Sequence, residues 1–195
     1  KLELKKIPTI KLLNGRGELK TTALYNYSNP EKVIKVNAKN NDWEDLTSDE
    51  KGNLYIGDFG NNESRRKNLA ILKVNAKDLS SSKKVEVEKI RFYYPNQTNF
   101  SPKKKQFFFD AESFFYHKNY FYIFTKSRVK SKFGKTALYR IPAIKGNHKA
   151  EFISDFNSCE AMNCWITSAD ISSDGKKVAL LSPSCVLIFS EYKKD

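Results

Sequence analysis

Residues 42–58 read DWEDLTSDEKGNLYIGD, the pattern of a short strand, a polar turn with a glycine, and a second, apolar strand. Residues 110–125 (DAESFFYHKNYFYIFT) and residues 167–182 (TSADISSDGKKVALLS) repeat this pattern. In the third copy, Asp174-Gly175 is a strong signal for a hairpin turn. The chain therefore contains an internal repeat, and each copy of the repeat begins with a β-hairpin.

Further strands follow each hairpin. Third strands are predicted at 69–74, 136–139 and 186–189, and the string TALY at 136–139 also occurs at 22–25. Fourth strands are predicted at 33–36, 85–94 and 151–156, where apolar and polar residues alternate as in a half-exposed edge strand. Four antiparallel strands, repeated without long helical periodicity, predict an all-β fold built from the blades of a β-propeller.

The repeat also sets the predicted extent of each blade. Residues 1–195 form a single β-propeller-like domain, with a half blade at about 21–37, blades at about 42–94 and 109–156, and a partial blade at about 165–190. A propeller closes with about four to eight blades, so an incomplete or truncated ring of a five- to six-bladed type is expected. Completion of the ring by a second chain and an open stack of sheets are the alternatives, the open stack ranking last because it exposes edges.

Charge and hydropathy limit the classes of partner. The chain has 35 basic and 22 acidic residues, a net charge of +13, and nearly all of the basic residues are lysines. The scarcity of arginine disfavours nucleic-acid binding, since arginine makes the bidentate contacts to phosphates and bases. Binding of a polyanion through the lysine-rich loops at 65–67, 103–105 and 126–135 is kept as an alternative function. No apolar run is long enough to predict a membrane span.

The three cysteines, Cys159, Cys164 and Cys185, lie in the last quarter of the chain. Cys159 and Cys164 can close a small disulfide loop if the protein is exported, which leaves Cys185 as a buried thiol in an apolar strand. A Cys164–Cys185 disulfide is the alternative. No signal peptide is visible, and one that had been removed would not be seen.

The strings WEDL at 43–46 and GNLYIGDFGNN at 52–62 resemble a family of exported, propeller-like bacterial proteins common in Bacteroidetes. The strings FDAESF at 109–114, YIFTK at 122–126 and ITSADISSDG at 166–175 fit the same family, and the resemblance runs from about Leu19 to about Phe189. It implies a propeller that is secreted, periplasmic or on the cell surface, with longer members and no established reaction. The loop with Cys159 and Cys164 departs from the family pattern.

First strands of propeller blades line the central channel, so equivalent positions in different blades converge there. Glu44 is equivalent to Glu112, and Asp45 is equivalent to Asp170. Carboxylates gathered around one axis repel one another unless a cation neutralises them, and oxygen ligands suit Ca²⁺. Glu44, Asp45, Glu112 and Asp170 are therefore candidate calcium ligands, and the competing interpretation is that these acids accept hydrogen bonds from the backbone of neighbouring blades.

A second set of candidates lies where second strands end. Asp58, Asn61, Asn62 and Lys126 are predicted to lie on one rim near the channel mouth, as ligand-binding residues. In the structural interpretation, Gly57 and Gly60 provide positive φ for a sharp turn that Asp58 stabilises. The leading functional hypothesis is an exported, non-catalytic binding or scaffold protein that holds a partner protein or a small polar ligand. A calcium-dependent lactonase-like or esterase-like hydrolase is the alternative.

Overall fold

The computed structural model describes residues 10–13, 32–81, 83–158 and 164–190. Nearly all of its regular structure is β-strand, so the predicted all-β class is confirmed. One short helix, α1 (Ala76–Ser81), and a 3-10 turn at Lys104–Gln106 are the helical elements of this part of the chain. No helix within it is long and apolar enough to cross a membrane.

The first sheet contains four antiparallel strands in chain order, with a short strand of another sheet between the third and the fourth, and a fifth strand paired in parallel at its edge. Its order is β11-β7-β5-β4-β3, and Trp43 and Ala70 both pair with Asp58. The strands are β3 (Trp43–Ser48), β4 (Leu54–Asp58), β5 (Ala70–Val74), β7 (Glu88–Tyr93) and β11 (Gly146–Lys149).

The second antiparallel sheet has the same arrangement of four strands, in the order β12-β10-β9-β8. Both sheets carry a register irregularity in their first strand, between Trp43 and Leu46 and between Ala111 and Ser113. The strands are β8 (Asp110–His117), β9 (Tyr120–Lys126), β10 (Lys135–Pro142) and β12 (Glu151–Asn157).

Two three-stranded sheets flank this pair. The third antiparallel sheet has the order β13-β14-β15. Its strands are β13 (Ser168–Ile171), β14 (Val178–Leu181) and β15 (Val186–Phe189). The remaining sheet is parallel, in the order β1-β2-β6, with β1 (Ile10–Leu13), β2 (Lys32–Val36) and β6 (Lys84–Val85).

The antiparallel sheets pack face to face, because neighbouring residues of a strand point to opposite faces. In β8, Phe114 belongs to the hydrophobic cluster shared with the first sheet, whereas Phe115 belongs to the cluster shared with the third. In β4, Tyr55 faces the second sheet and Ile56 faces β2 and β6. The interleaved aromatic rings are therefore core residues between sheets.

The first strands of the three antiparallel sheets lie side by side, with β8 between β3 and β13. The amide N of Tyr116 in β8 donates to Oγ1 of Thr47 in β3 over 3.2 Å. The strands that the repeat made equivalent are therefore adjacent in the structure.

Several local predictions are corrected. The half blade at 21–37 lies outside the described residues except for β2, which pairs in parallel. The single strand predicted at 85–94 is divided between β6 and β7, which belong to different sheets.

Cys185 is an exposed free thiol just before β15 and not a buried one. A Cys164–Cys185 disulfide is therefore wrong, although Cys164 is disulfide-bonded. Cys159 lies outside the described residues.

Gly57 and Gly60 are also explained differently. Among the described residues, the glycines with positive φ are Gly52, Gly146 and Gly175, so the two glycines of the GDFG string do not supply left-handed backbone. They supply space instead: a Cβ on Gly57 would overlap the ring of Phe59, and a Cβ on Gly60 would overlap the carboxylates of Asp42 and Glu44.

Candidate functional site

Four charged side chains meet where β8 begins and β9 ends, and we call them the ion-pair cluster: Asp110, Glu112, Lys126 and Arg128. Arg128 Nε lies 2.7 Å from Asp110 Oδ2, and Arg128 also donates to Glu112 Oε1 over 3.0 Å. Lys126 Nζ lies 2.5 Å from the same Glu112 oxygen. Two cations thus offset two carboxylates, so the ion-pair cluster needs no metal ion for charge balance.

Burial makes this cluster structurally important. The side chain of Asp110 has 0% relative exposure and that of Lys126 has 5%. Burial raises the pKa of Asp110, against the opposing effects of the Asn61 amide and the Arg128 guanidinium. Lys126 Nζ also lies 4.9 Å from the ring centroid of Trp165, a favourable cation–π contact. The candidate ligand residue Lys126 is therefore held by protein groups on two sides.

Asn61 connects the first sheet to the ion-pair cluster. Its amide N donates to Asp110 Oδ1 over 2.7 Å, and its Nδ2 donates to the carbonyl O of Phe109 over 3.0 Å. Its Oδ1 accepts from the amides of Arg65 and Arg66. The Asn61 side chain therefore holds its own loop together through Oδ1 and fixes that loop to the residue before β8 through Nδ2.

Asp58 is buried at the end of β4, and both oxygens of its carboxylate accept hydrogen bonds from protein groups. Its Oδ2 accepts from Asn41 over 2.7 Å, and its Oδ1 accepts from the amide of Asp42 and from Arg66. Asn62 is exposed, and its Nδ2 donates to Asp42 Oδ2 over 3.3 Å. The structure gives the predicted rim residues protein partners, and a ligand role for them stays a prediction.

The predicted calcium ligands are dispersed. Glu112 is in the ion-pair cluster, the Glu44 carboxylate lies against Gly60, and Asp170 is exposed and accepts from its neighbour Ile171. Within the described residues, no group of three or more His, Cys, Asp or Glu side chains is arranged to hold a metal ion. Calcium binding remains an untested hypothesis.

Asp45 joins the first strands of all three antiparallel sheets. Its carboxylate accepts from Ser168 Oγ in β13 over 3.1 Å and from the amide of Leu46 over 2.9 Å. Amides of Phe114 in β8 and Ala169 in β13 also donate to it. Burial nevertheless raises the pKa of Asp45 from 3.8 to about 6. This arrangement agrees with the alternative prediction, in which such acids accept backbone hydrogen bonds from neighbouring sheets.

A pH dependence of stability follows from Asp45. Since its pKa is higher in the folded protein, the residue contributes stability below pH 3.8 that is lost as the pH rises through about 6. The shift corresponds to about 3 kcal/mol. Urea denaturation of wild type and of Asp45→Asn at each pH gives the difference between their free energies of unfolding. We expect this difference, wild type minus variant, to fall by about 3 kcal/mol between about pH 3 and pH 7.

The matched control is Asp174→Asn, in the exposed turn before Gly175. Hydrogen bonds from Ser172 and Lys176 lower the pKa of Asp174. Its contribution to stability is therefore lost as the pH falls, the opposite direction from Asp45. A pH-independent difference for Asp45→Asn would contradict the assignment of a buried acid.

A cavity of about 500 Å³ opens at the other end of the first strands, where β3, β8 and β13 finish. We call it the rim cavity. It is lined by three acids, one histidine, an aromatic ring and hydroxyl groups, among them Asp49, Glu50, Asp170, His117, Tyr116 and Ser172. No lysine or arginine is among the residues that line it in the described part of the chain.

The walls of the rim cavity are held in place by the fold. Asp49 Oδ2 accepts from Tyr55 Oη over 2.9 Å and from Asn53 Nδ2 over 2.8 Å. These hydrogen bonds lower the pKa of Asp49 despite the opposing effect of burial, so it stays ionised. His117 packs against the third sheet, and a Cβ on Gly175 would lie 2.7 Å from its Cε1.

The rim cavity was not predicted from the sequence. The ion pairs of Arg128 with Asp110 and of Arg66 with Asp58 were not predicted either. Arg128 stands two residues after Lys126, on the same side of an extended chain, and this spacing was the available signal. Arg66 had no such signal, because it reaches Asp58 from a loop.

No protein-family model and no curated protein matches the chain. Among solved structures, the β-xylosidase RS223 matches with a TM-score of 0.40 and 13% sequence identity, covering 70% of this chain and 47% of that chain. The chain therefore corresponds to less than half of the length of that structure. The likeness is distant, and no residue role or activity is transferred from it.

Proposed function

We propose that the three antiparallel sheets are consecutive blades of a β-propeller, in a ring of five to six blades completed outside the described residues or by a second chain. The repeated order of strands supports this proposal, since each antiparallel sheet starts at the same inner position. The contacts of β8 with both β3 and β13 support it as well, because first strands of successive blades adjoin around a propeller axis.

On this fold we propose a non-catalytic binding function, with a small polar ligand held in the rim cavity. The observation that carries the proposal is the cavity itself, about 500 Å³ in volume and formed by the ends of three first strands. This volume is typical of small-molecule sites, which occur where structural elements converge. In contrast, Asp58, Asn61 and Lys126 at the opposite end already bind protein groups.

The chemistry of the lining indicates the class of ligand. Asp49, Glu50 and Asp170 place carboxylates around the opening, although the chain as a whole carries a net charge of +13. A ligand with an ammonium group would be attracted to these carboxylates, and its hydroxyl groups would pair with Ser172 and its neighbours. The ligand we propose is a small polyhydroxylated or amino-bearing molecule with a positive charge.

Export of the protein is part of the same proposal. The disulfide bond of Cys164 supports it, because disulfides persist mainly in oxidising compartments outside the cytosol. The resemblance of residues 43–46 and 52–62 to exported propeller-like proteins of Bacteroidetes points the same way.

Three sugars of similar size and different charge test the ligand class: glucosamine, glucose and glucuronate. We expect calorimetric titration to show binding of glucosamine, weaker binding of glucose and no binding of glucuronate. Replacing two acids of the rim cavity, Glu50→Gln with Asp170→Asn, should weaken glucosamine binding by about tenfold, about 1.4 kcal/mol.

The control variant, Glu63→Gln with Asp78→Asn, removes the same charge away from the cavity. Glu63 is an exposed partner of Arg65, and Asp78 is in the first turn of α1. This variant should bind glucosamine like wild type. Absence of glucosamine binding, a preference for glucuronate, or equal loss in both variants would contradict the proposed site.

A further inference from the structure

The same arrangement covers an outer sheet edge at two places in the described part of the chain, and we call it the repeated device: a short strand from the connection within one sheet pairs in parallel with an earlier strand. Between β5 and β7 of the first sheet, the chain leaves the sheet and places β6 in parallel beside β2. The amide of Lys35 donates to the carbonyl O of Lys83 over 2.8 Å, and the amide of Asn37 donates to that of Val85 over 2.8 Å. The connection between the third and fourth strands thus reaches back to an earlier strand.

The second sheet does the same. Between β10 and β12, the chain places β11 in parallel beside β7, the last strand of the first sheet. Ile90 is paired with Gly146 and Tyr93 with Lys149, and the amide of Ala150 donates to the carbonyl O of Tyr93 over 2.9 Å. Under this added strand, Ile90 and Phe92 are buried to 0% and 2% exposure.

The outer edge of β12 has no such strand in the described part of the chain. β12 ends its sheet, with β10 as its partner on the other side. Five consecutive residues from Glu151 to Asp155 are exposed, and the apolar Phe152 and Ile153 among them have 48% and 39% exposure. An open edge with exposed apolar residues is a position at which another strand can add.

We propose that the outer edge of β12 is a strand-acceptor site, and that its occupant is the segment 191–195, which follows β15 in the sequence. In both observed cases, the covering strand belongs to the connection that follows the third strand of the next sheet along the chain. The second sheet would therefore be covered by the segment that follows β15, the third strand of the third sheet. Three residues separate β10 from β11, 143–145, and the same spacing after β15 leads to Lys193.

Charge and symmetry favour this occupant. Lys193-Lys194 repeats the lysine pair Lys83-Lys84, of which Lys84 is in β6. β12 carries the acids Glu151 and Asp155, which pair with Arg140 and Lys135 of β10 and keep about half of their side-chain surface exposed. A second copy pairing edge to edge through a two-fold axis perpendicular to the sheet would bring its β12 antiparallel to this one. The repeated device requires a parallel partner.

Hydrogen exchange read by mass spectrometry tests the proposal on the full chain. The proline variants are Tyr192→Pro and Lys193→Pro, since neighbouring N–H groups of a strand point in opposite directions and one of the two must face β12. We expect the β12 amides that do not bond to β10 to exchange about tenfold faster in at least one proline variant. Tyr192→Ala and Lys193→Ala are the matched controls, and their exchange should match wild type.

The proposal would be overturned if these β12 amides are unprotected in wild type, or if both proline variants leave their protection unchanged. Protection that rises with protein concentration would also overturn it, because a second copy would then be the occupant. Glucosamine titration of the proline variants keeps this result separate from the rim cavity, which lies at the inner strands.

Discussion

Replacing Arg128 by methionine is expected to lower the free energy of unfolding by about 4 kcal/mol. Arg128 is the cation that pairs with Asp110, whose side chain has 0% exposure. Methionine keeps much of the length and apolar contact of the arginine side chain and removes its charge. The expected loss is therefore the cost of leaving a buried carboxylate without its partner, and urea denaturation at neutral pH measures it.

Arg140→Met is the matched control. Arg140 donates to both carboxylate oxygens of Glu151 over 3.0 Å, but the Glu151 side chain is 55% exposed. Water can solvate Glu151 after the change, so a loss of about 1 kcal/mol or less is expected.

A double variant isolates the role of the buried charge. Adding Asp110→Asn to Arg128→Met removes the unpaired carboxylate and should recover part of the loss. Equal losses for Arg128→Met and Arg140→Met, or a double variant less stable than the sum of the single changes, would show that burial of Asp110 does not govern the effect.

The second large effect is expected for Phe59→Ala, about 4 kcal/mol by the same measurement. Phe59 is fully buried between the first two sheets, and its ring centroid lies 5.2 Å from that of Phe114 and 6.2 Å from that of Phe92. Removing the ring leaves a cavity that strands on both sides are too constrained to fill. Phe152→Ala, at a position with 48% exposure, should cost about 1 kcal/mol.

Gly57 gives an independent check on the same contact. Because the Phe59 ring occupies the place of a side chain at position 57, Gly57→Ala alone should cost about 2 kcal/mol. In the Phe59→Ala background the space is empty, and the added methyl group should cost little. Strict additivity of the two changes would contradict direct packing of the ring against Gly57.

The order of strands could be predicted because its signals are local. The hairpin of β13 and β14 follows from Asp174-Gly175, and Gly175 has the positive φ of 66° that such a turn requires. The continuous apolar runs in β8 and β9 are typical of strands buried on both faces, and the adjacent Phe114 and Phe115 lie in two different hydrophobic clusters.

The added strands β6 and β11 could not be predicted in this way. Each is too short to show alternation, with two and four residues, and each pairs in parallel with a strand distant in sequence. Such pairing depends on where the connecting segment meets an earlier strand once the sheets have packed together. Val85 is separated from β7 in the same way, and the alternation at 85–94 changes phase between Val87 and Ile90.

The sequence predicted which acids and which lysine lie at the candidate site, but it did not predict which side chains pair with them. The acids and the lysine at the strand ends were identified from their spacing, but Arg128, Arg66 and Trp165 meet them from loops or beyond the strand ends. Loops carry no periodic signal, so their contacts are fixed only when sheets pack against one another.

The all-β class, the hairpins and the residues that face the core can be predicted from the amino-acid order, since these features depend on turn chemistry and on the two-residue period of a strand. The tertiary structure alone decided that Lys126 and Arg128 neutralise Glu112 and Asp110, that Asp45 links three sheets, and that strand ends enclose the rim cavity. These features arise from contacts between residues far apart in the chain, whose distances are set by the packing of whole sheets.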